Sequence, residues 1–92
     1  MSEVKKELSL GEKRVRTEFN PSGVGSVNFI KEKSAQLINV IEDLKPKDGS
    51  MMSGEKARLI ALAQTAIEEG AMWGVKAATF DKQQKKIRIF VN

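Results

Sequence analysis

Residues 57–78 read "ARLIALAQTAIEEGAMWGVKAA", and the fold turns on how this run is taken. Its apolar positions recur at three-and-four spacing rather than alternating, which is the mark of an amphipathic helix and not of a strand. One stripe is Leu59, Leu62, Ala66, Trp73 and Ala77, continuing to Phe80; a second, beside it, is Ile60, Ala63, Ile67, Ala71 and Gly74. That surface is wider than one partner helix can cover, so two neighbours are expected. The run also places Gly70 and Gly74 around the chain's one tryptophan, at a cost of roughly 1 kcal/mol per glycine relative to alanine. Small residues let a facing backbone approach closely, and the dispersion attraction of that close packing can offset the cost. Such spacing is best established between membrane helices. Here it points to packing between subunits, with Gly70, Trp73 and Gly74 at the interface.

Working outward, Ser53 is placed to cap this helix and Glu55 sits in its first turn, where the helix dipole favours a carboxylate. The segment "KPKDGS" before it, residues 45–50, stops an earlier helix through Pro46 and turns the chain at Asp48-Gly49. That earlier helix is expected from an N-cap at Ser26 to about Leu44, with Val27, Ile30, Leu37, Ile38, Ile41 and Leu44 on its apolar side. A short connection between two long helices makes them antiparallel neighbours. Upstream, "FNPSGVGS" (residues 19–26) reads as a loop. Val15, Thr17 and Phe19 alternate with charges over residues 13–19, as do Ile87, Ile89 and Val91 near the C-terminus, so each segment is expected to form a short half-buried strand. Residues 1–11 are polar, lack periodicity and are expected to be flexible or loosely docked.

Composition removes whole classes of chemistry. The 92 residues include no histidine and no cysteine. The commonest general base, the usual catalytic triads, thiolate zinc sites and disulfides are therefore absent, and neither an enzyme nor a metal or cofactor site is expected. No apolar run approaches the roughly 20 residues that span a bilayer, and the N-terminus lacks the apolar block of a signal peptide. A cytoplasmic protein with no membrane partner is the expectation. The formal charge of +4, from 16 basic and 12 acidic residues, is mixed rather than lopsided. A small anionic ligand fits that balance better than polymeric DNA or RNA.

Local constellations each carry a functional and a plain reading. Glu68 and Glu69 are adjacent, but neighbours on a helix point about 100° apart and do not converge on one centre, so solvated or intersubunit charges are the simpler account. Met72 and Trp73 could stack a ligand or anchor a core or interface. The tail "DKQQKK" (81–86) with Arg88 could be a nucleic-acid patch or a solvated turn. More interesting is the loop into the first long helix. Gly23, Gly25, Ser26 and the exposed amides of a helix N-terminus make a concavity suited to an anion, Phe19 brings an aromatic face, and Lys31 and Lys33 follow. The loop lacks the lysine position of a P-loop and the full dinucleotide fingerprint, so a simple connecting turn stands beside phosphate binding.

The run "ARLIALAQTAIEEGAMWGVKAA" also resembles the Leu-Glu-Glu-Ala-x-Met-Trp-Ala helix of small phage proteins that sequester cyclic oligonucleotide second messengers, the anti-CBASS sponges, related through the same hairpin to anti-Thoeris sponges. The preceding "RTEFNPSG" (16–23) is similar to that family's aromatic, polar and proline segment, and the resemblance spans residues 13–80. It implies a homohexamer that binds 3′,3′-cyclic dinucleotides such as cyclic GMP-AMP, and in some members cyclic trinucleotides, without cleaving them, in the host cytoplasm. By resemblance Phe19 takes the place of a base-stacking tyrosine, and Asn20, Pro21, Ser22 and Ser26 belong to the binding loop. Lys31, with Lys33 as the alternative, stands for the basic residue that meets phosphate. Gly70 and Gly74 replace alanines of the family helix, and the basic residue expected near the end of that helix is not evident at Phe80 or Asp81. A cyclic dinucleotide has approximate two-fold symmetry, and a two-fold interface presents Phe19 and Lys31 twice, matching two bases and two phosphates.

The sequence thus predicts one domain over residues 1–92: a flexible stretch (1–11), a mainly α hairpin core (12–80) and an extension (81–92), with short flanking strands, assembled as a homo-oligomer. Its rival is a small nucleic-acid-binding or protein-interaction module, supported by the cationic tail.

Overall fold

A computed structural model describes residues 7–81. Three helices follow in order: α1 (Leu10–Val15), α2 (Gly25–Glu42) and α3 (Gly54–Ala78). α2 and α3 pair as the expected hairpin, and α1 packs mainly on α2 with a smaller contact to α3. The described residues contain no strand. The C-terminal strand expected around Ile87 to Val91 lies outside them.

The first strand expectation is corrected. Residues 10–15 are helical because the chain enters them through Ser-x-x-Glu: Ser9 Oγ accepts from the Glu12 amide at 3.2 Å, and Glu12 Oε1 accepts from the Ser9 amide at 2.8 Å. This reciprocal capping satisfies two donors that a helix start leaves open. Six residues are too few for a stable helix in water, so packing completes the account. Gly11 and Val15 are buried one turn apart against α2. A Cβ at Gly11 would stand 2.7 Å from Ala35 Cα, so glycine alone permits this approach. The Gly11 amide then donates to Asn39 Oδ1 at 2.8 Å, while Asn39 Nδ2 donates to Ser9 Oγ at 3.0 Å. Ser9 to Gly11 are therefore docked rather than loose.

The core is small. Val15, Ala35, Ile38 and Ala71 form its buried centre, with Ile30 and Ile67 packed against it. Ile38 is fully buried, and burying such a side chain contributes about 1.5–3 kcal/mol. Around this centre runs a polar brace. Buried Gln64 of α3 donates to Ile38 O at 3.3 Å and to Glu42 Oε1 at 2.9 Å. Arg14 of α1 donates to Glu68 at 2.8 Å, with longer contacts to Gln64 Oε1 and Thr65 Oγ1. All three helices are cross-linked, and no buried side-chain nitrogen or oxygen among the described residues lacks a partner.

Ser53 caps α3 by accepting from the Lys56 amide, and Glu55 lies in the first turn, as the sequence indicated. The Asp48-Gly49 turn also forms: Asp48 Oδ1 accepts from the Ser50 amide at 3.0 Å and Gly49 has φ +85°. Ser26 does not cap α2. The capping position is Val24, in extended conformation with no side-chain cap, because Asn20 and Ser22 have already closed the loop. Ser22 Oγ accepts from the Val24 amide at 3.1 Å, and Asn20 Nδ2 donates to Val24 O at 3.0 Å.

The two stripes of α3 separate. Ile60 and Ala71 are buried, and a Cβ on Gly74 would lie 3.4 Å from Ile30 of α2. The close approach at Gly74 is thus used inside the hairpin. Leu59, Leu62, Trp73 and Phe80 are exposed, as is Gly70, where an added Cβ would meet nothing within 4 Å.

Candidate functional site

α1 ends at Arg16, which adopts the left-handed region (φ 57°, ψ 59°) and donates its amide to Glu12 O. A left-handed residue other than glycine costs roughly 1–2 kcal/mol, and such strain clusters at functional sites. Here its effect is local and visible. The turn continues with the Phe19 amide donating to Arg16 O at 2.9 Å, and the Arg16 guanidinium lies 4.4 Å from the centroid of the Phe19 ring.

Lys31 reaches this turn from the second turn of α2. It is only 8% exposed, and its ammonium donates to Arg16 O at 3.0 Å and to Phe19 O, while standing 5.3 Å from the Phe19 ring centroid. Burial, and secondarily the Arg16 charge, holds its pKa below the ordinary lysine value of 10.5. Around these groups lies a recess of about 400 Å³. Arg14, Arg16 and Phe19 form one wall, Lys31 another, and Glu68, Met72 and Val75 of α3 the third. An aromatic face rimmed by cations suits a planar base attached to a phosphate, combining stacking with charge attraction.

Of the loop and helix residues expected from sequence to bind the ligand, Phe19 and Lys31 line this recess and the others do not, while Met72 and Glu68, weighed separately, also border it. Asn20 and Ser22 shape the loop through bonds to each other and to Val24, and Asn20 also donates to Asn28 Oδ1 at 3.0 Å. Pro21 and Ser26 are exposed. Lys33 belongs to another face, 5.4 Å from the ring of Phe29. Sequence reasoning missed Arg14 and Arg16 because it read them as the solvated side of a strand. The Ser9-to-Glu12 capping pair was the signal that would have placed them at the end of a helix.

A second recess, about 460 Å³ between α1 and α2, is lined by Glu12, Glu32, Asn28 and Gln36 among others, with no cation. It suits an anion poorly. The Phe19 recess instead brings an aromatic face and positive charge together where all three helices meet.

The family model for the Acb2/Tad1 hairpin domain matches residues 11–79. The chain belongs to this family, the anti-CBASS and anti-Thoeris sponges. No curated protein and no solved structure matches the chain.

Proposed function

We propose that this protein binds 3′,3′-cyclic dinucleotides such as cyclic GMP-AMP in the host cytoplasm during phage infection and withholds them, uncleaved, from the immune effectors they activate. The match of the hairpin to a sponge family over residues 11–79 carries this reading. The recess supports it: Phe19 supplies a stacking face, and Lys31 with its cationic neighbours supplies the potential for phosphate. A chain without histidine or cysteine is suited to binding without turnover. Cyclic trinucleotides are a second ligand class implied by the family.

Self-assembly belongs to the same proposal. The exposed stripe of Leu59, Leu62, Trp73 and Phe80 is the apolar face expected to meet other copies, in a homohexamer, with Gly70 allowing close approach. A two-fold contact would double the Phe19 face to match the ligand's symmetry. Among the described residues no helix is long and apolar enough to cross a membrane, and no group of acidic residues is arranged to hold a metal ion.

Isothermal titration of the purified chain with cyclic GMP-AMP, followed by heat release and chromatography of the ligand, tests the reading. Tight binding below one ligand per chain, with intact ligand recovered, is expected. Cleaved ligand would make the protein an enzyme, and absence of binding would remove the sponge function. A polymer-binding module would instead respond to oligonucleotides, with steep salt dependence.

A further inference from the structure

We infer that Arg16, and not Lys31, is the cation that meets the ligand's phosphate, and that Lys31 is a positioning residue which builds the turn carrying Arg16 and Phe19; this rests on the proposed binding of a cyclic dinucleotide. The two groups occupy the same recess but differ in what they have left to give. The Lys31 ammonium is buried and donates to two backbone carbonyls, Arg16 O and Phe19 O. At most one of its three protons is left for a ligand. Its lowered pKa agrees, since the charge is already desolvated against the protein.

Arg14, the second cation lining the recess, is engaged with Glu68, Gln64 and Thr65. Arg16 is different. Its side chain is exposed, and among the described residues its guanidinium has the Phe19 ring as its contact and no carboxylate. A guanidinium lying 4.4 Å from that ring keeps five donors free while stacked. A base settling on Phe19 would therefore arrive beside an unspent planar fork suited to a phosphodiester. The left-handed backbone at Arg16 fits this division. The strained turn sets the guanidinium beside the ring, and the Lys31 bonds to the carbonyls of residues 16 and 19 hold the turn closed.

The test is titration of the full chain, Arg16→Gln, Arg16→Lys and Lys31→Met with cyclic GMP-AMP at about 50 and about 200 mM salt, with melting temperatures alongside. Wild type should weaken as salt rises. Arg16→Gln should bind about tenfold to a hundredfold more weakly, melt like wild type and lose part of the salt response, and Arg16→Lys should regain some of both. Lys31→Met should bind weakly because it melts lower, yet keep the wild-type salt response. Wild-type affinity in Arg16→Gln would overturn the assignment, as would a Lys31→Met variant that melts normally and loses the salt response. A wild-type chain that binds no cyclic dinucleotide would overturn the reading beneath it as well.

Discussion

Phe19 and Trp73 are both exposed aromatics, at 50% and 67%, and each has a lysine at a similar distance from its ring, 5.3 Å for Lys31 and 5.5 Å for Lys76. Their surroundings separate them. Phe19 is held by a capped helix, a left-handed turn and a lysine reaching across from α2, in a recess to which all three helices contribute. Trp73 lies on one helix beside Glu69, Met72 and Lys76, all from that helix. A side chain fixed by several elements presents a prepared face to a small ligand, because little ordering remains to be done on binding. One that rests on a single helix is suited to a partner that brings its own complementary surface.

The comparison breaks most severely at Gly11. Gly11→Val would press a branched side chain into the Ala35 backbone, where nothing can yield, and should cost at least about 3 kcal/mol. Thermal unfolding followed by circular dichroism should show a large drop in midpoint; an unchanged midpoint would mean that α1 is not docked as described. Next in size is Phe19→Ala. In the proposed two-fold site this change would remove two stacking faces worth roughly 1–3 kcal/mol each, so titration should show affinity for cyclic GMP-AMP reduced about a hundredfold or more. The melting temperature should hardly move, since the ring is half exposed.

The Trp73 side is sharpened by a pair of changes. Trp73→Ser should reduce the sedimentation coefficient while the recess residues stay in place. Gly70→Ala is a test of sign. In the isolated helix nothing lies within 4 Å of the new methyl group, so alanine should stabilise by about 1 kcal/mol. If copies pack closely at Gly70, the assembled protein should instead be destabilised. A stabilised, unaltered assembly would place the interface elsewhere.

The smallest effect concerns pH. The Glu42 carboxyl is held below its ordinary value of 4.5 chiefly by the Gln64 hydrogen bond, which outweighs the opposing effect of burial, with Lys45 and Arg14 each adding less. A folded-state value below the unfolded one gives stability that is present above about pH 4.5 and is lost as pH falls through the folded value. Glu42→Gln should therefore flatten the fall in melting temperature on the acid side. An unchanged acid limb would remove Glu42 from the brace.

The hairpin was legible because periodicity over a long window is a strong signal. α3 with its Ser53 cap and the Asp48-Gly49 turn were all readable, and α2 differed only at its ends, capped at Val24 instead of Ser26 and ending at Glu42 instead of about Leu44. α1 was misread because six residues contain too little periodicity to decide. Val15, Thr17 and Phe19 alternate by two, while Gly11 and Val15 repeat by four, and the Ser9–Glu12 capping pair together with the contact with Ala35 selects between them. The site was half legible for the same reason. Phe19 and Lys31 were singled out by the loop pattern and then by the resemblance, whereas Arg16 became visible once α1 was a helix ending in a left-handed turn.

The sequence by itself determined the two long helices, their antiparallel pairing, the apolar width of α3 and the absence of histidine and cysteine chemistry. These are properties of spacing and composition, and no distant contact is needed to read them. The tertiary structure decided where α1 lies, which side of α3 is spent inside the chain, and which cation is free to act. Each depends on groups far apart in sequence, such as Gly11 with Ala35, Gly74 with Ile30 and Lys31 with the carbonyls of residues 16 and 19. The order of the residues does not state those distances; packing does.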